Sequence, residues 1–366
     1  MEDRDSLIPT TAVDAGDEDG PEPALPTFDR PDEPFALGDE LGRGGMGRVV
    51  AATDRALGRP VAIKQALSRN PDNLRRFERE ARITARLEHP SIVPVHETGR
   101  DGDGNPFYVM RRIAGEPLHQ RIAEARDMRA LLALVPNVLA AVDAAAFAHA
   151  RGVIHRDIKP TNILVGKYGE TLLIDWGLAR ELGDRDLASS HGAGEGDDGL
   201  TQAGDVFGTP GYMAPEQARG EAVDKRADVY ALGATLFHVV AGEPPFTGKV
   251  VQYVAEVATG WLPPFDKIHP EVPRELVTIV AKAMALDPAR RYRDAGELAA
   301  DLRAFLAGNL VAAHRYTPAE RFARFVRRHR AAVAVAGLAA LALIAGGTVA
   351  LYRVVGAERA ARTRAV

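Results

Sequence analysis

His155-Arg156-Asp157-Ile158-Lys159-Pro160-Thr161-Asn162 sets a carboxylate, an ammonium and a carboxamide at fixed separations within one short stretch. A carboxylate at Asp157 can take a hydroxyl proton, Lys159 can neutralise charge on a transferring phosphoryl group, and Asn162 can hold a divalent cation. His, Arg and Asp are common loop residues, so the reading depends on whether partner motifs stand in order around the stretch.

Upstream, Leu41-Gly42-Arg43-Gly44-Gly45-Met46-Gly47-Arg48-Val49 holds a GxGxxG run between strand-like Phe35–Leu37 and Val49–Ala52. A dinucleotide-binding reading needs the last glycine to open a helix and an acidic residue about twenty residues later. Here a second strand follows instead, Val61-Ala62-Ile63-Lys64, and it ends on a cation. Glycines in a hairpin let backbone N–H groups approach phosphates, and Lys64 can pair with the same phosphates.

Residues Asn73–Glu88 predict an amphipathic helix, with Leu74, Phe77, Ala81, Thr84, Ala85 and Leu87 mostly on one face. Glu80 on that helix is the natural carboxylate partner for Lys64. His89-Pro90 ends the helix, and Ile92–Val95 and Phe107–Met110 read as strands joined by a turn. That turn, Asp101-Gly102-Asp103-Gly104-Asn105, opens like a calcium loop, but Pro106 and Arg112 stand where such a loop needs glycine and a bidentate glutamate, so the expectation is a hairpin tip. Residues 128–150 are Ala- and Leu-rich, a buried-helix pattern interrupted at Pro136. A hairpin of Ile163–Val165 and Thr171–Ile174 about Gly169 delivers Asp175-Trp176-Gly177, with Asp175 at a strand end as a second cation ligand.

With GTPGYMAPE at 208–216 and DVYALG at 228–233, these motifs follow one another as they do in bacterial eukaryotic-like Ser/Thr protein kinases, which the chain resembles over about residues 35–308. The resemblance implies an α+β two-lobed fold, a β-rich N-lobe (about 35–112) and a helical C-lobe (about 113–308), with ATP between them. It implies that Asp157 takes the substrate proton, Lys159 stabilises the γ-phosphate, and Asn162 and Asp175 hold Mg²⁺, with Mn²⁺ as the alternative ion. Lys64, paired to Glu80, would position the α- and β-phosphates. ATP contacts are expected from Leu41 through Val49, from Ala62, and from Met110 at the gatekeeper position. Arg111 to Ile113 would form the hinge, where family members often carry an acidic residue in place of Arg111. Asp228 would brace the catalytic loop, and Glu216 would pair with Arg291. Arg156 would receive a phosphorylated activation-loop residue, expected at Thr201, while Thr209 would contact Lys159 and Asp157. The Gly-rich, acidic stretch 189–199 is expected to be a flexible loop. The implied activity is transfer of the γ-phosphate of MgATP to Ser/Thr hydroxyls of proteins, including the chain itself; the alternative is a pseudokinase or nucleotide-binding scaffold.

The absence of cysteine excludes disulfides, thiolate metal sites and Cys nucleophiles. Net charge is near neutral, 46 Lys plus Arg against 50 Asp plus Glu, and nothing in it points to nucleic acid. Residues 1–34 are acidic and Pro-rich without apolar period, so the expectation there is a disordered tail and no signal peptide. A basic juxtamembrane segment, 309–330, carries Arg321, Arg324, Arg327, Arg328 and Arg330. Residues 331–352 carry no charge, and about 22 residues at 1.5 Å span about 33 Å, enough for one transmembrane helix. The arginines before it would, by the positive-inside rule, put the expected kinase domain on the cytoplasmic side of the cell membrane, although Arg353, Arg359, Arg362 and Arg364 follow it. Residues 353–366 are expected to be a short tail, as in a shortened member of a longer type. Small-residue faces such as Ala332, Ala336 and Ala340 suggest a homodimer through this helix.

Overall fold

The computed structural model describes residues 33–44, 47–181, 211–248, 250–258, 265, 268 and 270–364. The expectations for the acidic leader, the 189–199 loop, Gly45, Met46, Thr201 and Thr209 lie outside the described residues, apart from the last two positions of the leader.

The N-lobe is β1 (Phe35–Arg43), β2 (Gly47–Asp54), β3 (Arg59–Ala66), α1 (Pro71–Ala85), β4 (Val95–Arg100) and β5 (Pro106–Arg111). The strands form one antiparallel sheet in the order β1-β2-β3-β5-β4. Period-2 alternation divides its side chains between two faces. Ala52, Val61, Ile63 and Val109 pack together on one face, while Ala66 and Tyr108 meet Phe77 and Ala81 of α1 on the other. Asn70 caps α1 by accepting from the Asp72 N–H at 2.8 Å, and Pro71 sits in the first turn, where no N–H is needed.

The C-lobe continues through β6 (Gly115–Pro117), α2 (Leu118–Glu124), α3 (Met128–Leu132), α4 (Val135–Ala150), β7 (Val153–Ile154), a 3₁₀ turn (Pro160–Asn162), β8 (Ile163–Gly166), β9 (Thr171–Leu173) and β10 (Arg180–Glu181). There follow α5 (Pro215–Ala218), α6 (Lys225–Ala241), α7 (Val250–Ala258), α8 (Arg274–Ala283), α9 (Ala295–Leu306), α10 (Pro318–Arg328) and α11 (Arg330–Arg364). Helix α6 is buried on nearly every face, as its all-round apolar sequence requires, and packs among α4, α8 and α9. Pro136 divides the apolar run into α3 and α4 and lies in the first turn of α4.

Two expectations change. The strand drawn over Ile92–Val95 begins only at Val95; Pro94 has no N–H to give a ladder, and Ile92 makes an isolated bridge to Leu173. Packing continues past residue 308: Val311 is buried in the C-lobe core, and the Asp301 carboxylate accepts from the N–H groups of Ala312 and Ala313 at 2.7 and 3.0 Å. The helix that holds the apolar run extends to Arg364, through most of the segment expected as a short tail. Arg330–Arg353 is long and apolar enough to cross a membrane, and none of it is buried against the rest of the chain; Met128–Ala150 passes the same length test but holds core residues.

Candidate active site

Two short β segments and α6 fix the loop that carries Asp157. Arg156 adopts the left-handed region, φ 70°, which turns the chain sharply after β7. The turn is held from beneath by Asp228 of α6, whose Oδ2 accepts from the His155 N–H and whose Oδ1 accepts from the Arg156 N–H, both at 2.8 Å. His149 of α4 lies against the same carboxylate, Nε2 to Oδ2 2.9 Å. Burial alone would raise the Asp228 carboxyl, but His149, His155 and the backbone donors outweigh it and hold the group below its ordinary value. Gln217 adds a bond from Nε2 to the Arg156 carbonyl at 2.9 Å.

On this support the functional side chains converge. Lys159 Nζ donates to Asp157 Oδ2 at 2.8 Å. Asn162 Nδ2 donates to the Asp157 carbonyl at 2.8 Å and to Oδ2 at 3.2 Å, with the 3₁₀ turn setting the reach. The Ile174 N–H donates to the Asn162 carbonyl at 2.9 Å, which ties the loop to the segment carrying Asp175.

Asp175 is, with Arg156, one of two non-glycine residues with positive φ among the described residues, at 65°, and its side chain is half exposed. Lys64 Nζ lies 3.5 Å from Asp175 Oδ1 and 2.5 Å from Glu80 Oε1. Burial would lower the Lys64 ammonium, yet Glu80 and Asp175 together raise it, so the cation is retained. Trp176 is fully buried, with its ring 4.6 Å from that of His155 and its indole N–H directed at the Leu173 carbonyl, 3.4 Å. His155 in turn spans Ile174 O at 3.2 Å and the Asp157 N–H at 3.3 Å, so ring stacking and backbone bonds join the two acidic segments.

The β1–β2 hairpin lies at one end of β3. The Gly44 N–H donates to the Gly47 carbonyl at 2.8 Å, and a Cβ at Gly47 would stand 2.4 Å from the Gln65 carbonyl, so only glycine fits there. Cross-strand pairs place Val49 opposite Lys64 and Ala62 opposite Met110. Leu41 and Arg43 are exposed on β1, and Arg43 is turned to Glu40 at 2.7 Å rather than to Lys64.

The sequence placed Lys64, Glu80, Asp157, Lys159, Asn162 and Asp175 in one constellation, and these are the residues brought together. Glu216 and Arg291 form a buried two-pronged pair at 2.7 and 2.8 Å. Sequence reasoning missed His149 and, above all, Tyr108, whose hydroxyl donates to Glu80 Oε1 at 2.7 Å. Lys64 and Tyr108 are opposed in the β3–β5 ladder, a pairing that the strand register could have revealed.

The protein kinase domain family matches residues 35–300. The chain belongs to the protein kinase family. Among curated relatives, the serine/threonine-protein kinase PknB of Mycolicibacterium smegmatis is 40% identical over 276 residues, covering 73% of this chain and 42% of that protein. The probable serine/threonine-protein kinase SCO3848 of Streptomyces coelicolor is 37% identical over 288 residues, covering 76% of this chain and 41% of that protein. The chain thus spans about two fifths of the length of the curated relatives it matches. The crystal structure of the Mycobacterium tuberculosis PknI kinase domain superposes with a TM-score of 0.54 at 27% identity, covering 74% of this chain and 95% of that one. The protein kinase fold, an N-lobe sheet above a helical C-lobe, is therefore the architecture that positions Asp157 and Lys64.

Proposed function

We propose that the chain transfers the γ-phosphate of MgATP to serine and threonine hydroxyls of protein substrates. The single observation that carries this reading is the convergence of Lys159 and Asn162 on the Asp157 carboxylate, set beside the ion-paired Lys64, Glu80 and Asp175. The family and the named relatives support it.

Asp157, held on one side by Lys159 and Asn162, has its carboxylate oriented to receive the hydroxyl proton as the acceptor oxygen attacks. Lys159, already beside that oxygen, is placed to neutralise charge on the transferring group. Lys64, kept cationic by Glu80, is aimed at the α- and β-phosphates. With its amide nitrogen engaged by Asp157, Asn162 presents its carbonyl oxygen, and Asp175 presents a half-exposed carboxylate; hard oxygen donors of this kind suit Mg²⁺ and accept Mn²⁺. The Gly47 position, which admits no Cβ, suits close approach of backbone to phosphate. Asn162 and Asp175 would hold the metal, which would supply positive charge to offset the charge that develops on the transferring phosphoryl group. Contacts from Leu41 to Val49, Ala62 and Met110 complete the proposed nucleotide site.

Two further parts of the reading concern control and place. Thr201 is proposed as the residue whose phosphate meets Arg156, and Thr209 as a contact of Lys159 and Asp157. Residues 331–352 of helix α11 are proposed as a single membrane span with the kinase domain in the cytoplasm, open to self-association through its small-residue faces. Incubating the full chain, reconstituted in lipid discs, with γ-labelled MgATP and a generic protein acceptor tests the activity. Label mapped to Ser/Thr hydroxyls, including Thr201, is expected; nucleotide binding without transfer would replace the reading by the scaffold alternative. Carbonate extraction of membranes checks the anchor, which fails if the chain is released.

A further inference from the structure

We infer that Tyr108 is a positioning residue for phosphoryl transfer, the third member of a Tyr108–Glu80–Lys64 relay that holds α1 against the sheet. The inference rests on the kinase reading and deepens it. Tyr108 is 4% exposed, its ring packs on Phe77 of α1 at 5.4 Å, and its hydroxyl donates to Glu80 Oε1 at 2.7 Å. That same oxygen receives Lys64 at 2.5 Å. The other carboxylate oxygen, Oε2, is buried with no hydrogen-bond partner among the described residues. Glu80 is therefore held entirely through one oxygen by two donors, one from β3 and one from β5.

The consequence is geometric. Lys64 and Tyr108 face each other across the β3–β5 ladder, so their donors approach Glu80 from neighbouring strands at a separation fixed by the sheet. A carboxylate bound only by a lysine can swing with that flexible side chain. A second, rigid donor on an aromatic ring removes the swing and sets the position of Nζ, which lies 5.9 Å from the Tyr108 ring centroid. Burial, and then the neighbouring Glu80 charge, push the Tyr108 hydroxyl well above its ordinary value, so it stays a donor throughout the working range. Helix α1 is in this way tied to β5 from within the N-lobe, by a bond that does not involve the activation segment.

The test is Tyr108→Phe in the full chain, alone and in a Glu80→Ala background, since phenylalanine keeps the ring packing on Phe77 and removes only the hydroxyl. Activity per folded molecule, KM for ATP and the dissociation constant of MgATP are measured in each. In the wild-type background kcat/KM for ATP is expected to fall about five- to thirtyfold, part of the worth of one hydrogen bond to a charged group, with MgATP binding weakened in parallel. In the Glu80→Ala background the same substitution should change both by less than about twofold, because the hydroxyl has lost the group it acts on. A thermal shift with unchanged kcat/KM and nucleotide affinity would mean a packing role and overturn the inference. An equal loss in both backgrounds would overturn it too, since Tyr108 would not then act through Glu80. The MgATP affinity reads out the relay whether or not the wild-type chain turns over, so failure of the proposed activity is distinguishable from failure of the relay.

Discussion

Replacing Asp228 by asparagine exchanges one oxygen of a fully buried carboxylate for an NH₂ group while leaving its shape intact. Three donors face that carboxylate: the Arg156 N–H on Oδ1, and the His155 N–H and His149 Nε2 on Oδ2. His149 Nδ1 accepts from the Ala295 N–H at 3.3 Å, which leaves Nε2 as the protonated, donating nitrogen. In its better orientation the amide keeps its oxygen on His155 and His149 and sets its NH₂ against the Arg156 N–H. One charge-assisted bond, about 1.5–3 kcal/mol, is then lost, and a buried donor is left unsatisfied at about 1–3 kcal/mol more. The expected destabilisation is about 3–5 kcal/mol, or about 6–20 °C in Tm for a domain of this size. Because the bonds lost hold the backbone on which Asp157 sits, kcat should fall at least about tenfold in molecules that remain folded. The same carboxyl predicts an acid limb: its folded value is depressed, so its stabilisation is present above the unfolded value, near pH 4, and is lost as pH falls through the folded one. Thermal unfolding from pH 3 to 8, with phosphate transfer measured on the same samples, checks all three. A Tm within 2 °C of wild type and an unchanged kcat would refute the argument that Asp228 organises the loop.

Other consequences follow from single contacts. Arg291 uses Nε and both terminal nitrogens on Ala285 O, Glu216, Arg226 O and Leu286 O, so Arg291→Lys should cost about 3–5 kcal/mol by chemical denaturation, far more than an exposed Arg-to-Lys exchange. Burial, reinforced by His119, lowers His238 from 6.5 to about 4. The unfolded chain takes up a proton there before the folded one does, so wild-type stability should drop by about 3 kcal/mol as pH falls from 6.5 to 4, and His238→Gln should flatten that part of the Tm profile. Gly47→Ala drives a methyl group into the Gln65 carbonyl, and KM for ATP should rise at least about fivefold with the thermal midpoint lowered; an unchanged KM would contradict the close-approach reading of the hairpin.

Much of the candidate site was legible because its parts are local. Asp157, Lys159 and Asn162 act from one turn, and their separation is set by covalent geometry and the 3₁₀ turn at Pro160–Asn162. The Lys64–Glu80 pair was legible from strand and helix patterns that each identify one partner. Tyr108 was not, because its hydroxyl gains meaning only from a partner 28 residues away and from the β3–β5 register, which alternation in β5 alone does not specify. His149 was hidden in the same way: on an Ala-rich helix it reads as an isolated polar residue until α6 brings Asp228 to it. The misplaced start of β4 came from reading Ile92 and Val93 by side-chain type, whereas Pro94 and the bridge from Ile92 to Leu173 commit those residues to the interlobe connection. The packing beyond residue 308 escaped because a backbone segment held by one carboxylate, Asp301, and one buried side chain, Val311, has no periodic pattern to show.

The measurement closest to the central claim is the kcat of Asp157→Asn against wild type in lipid discs, with MgATP affinity determined on the same samples. If Asp157 receives the substrate proton while Lys64, Asn162 and Asp175 hold the nucleotide and metal, kcat falls by about 10²–10⁴ and MgATP affinity stays within about threefold. A variant that transfers phosphate at the wild-type rate would contradict the assignment of the reaction to this loop.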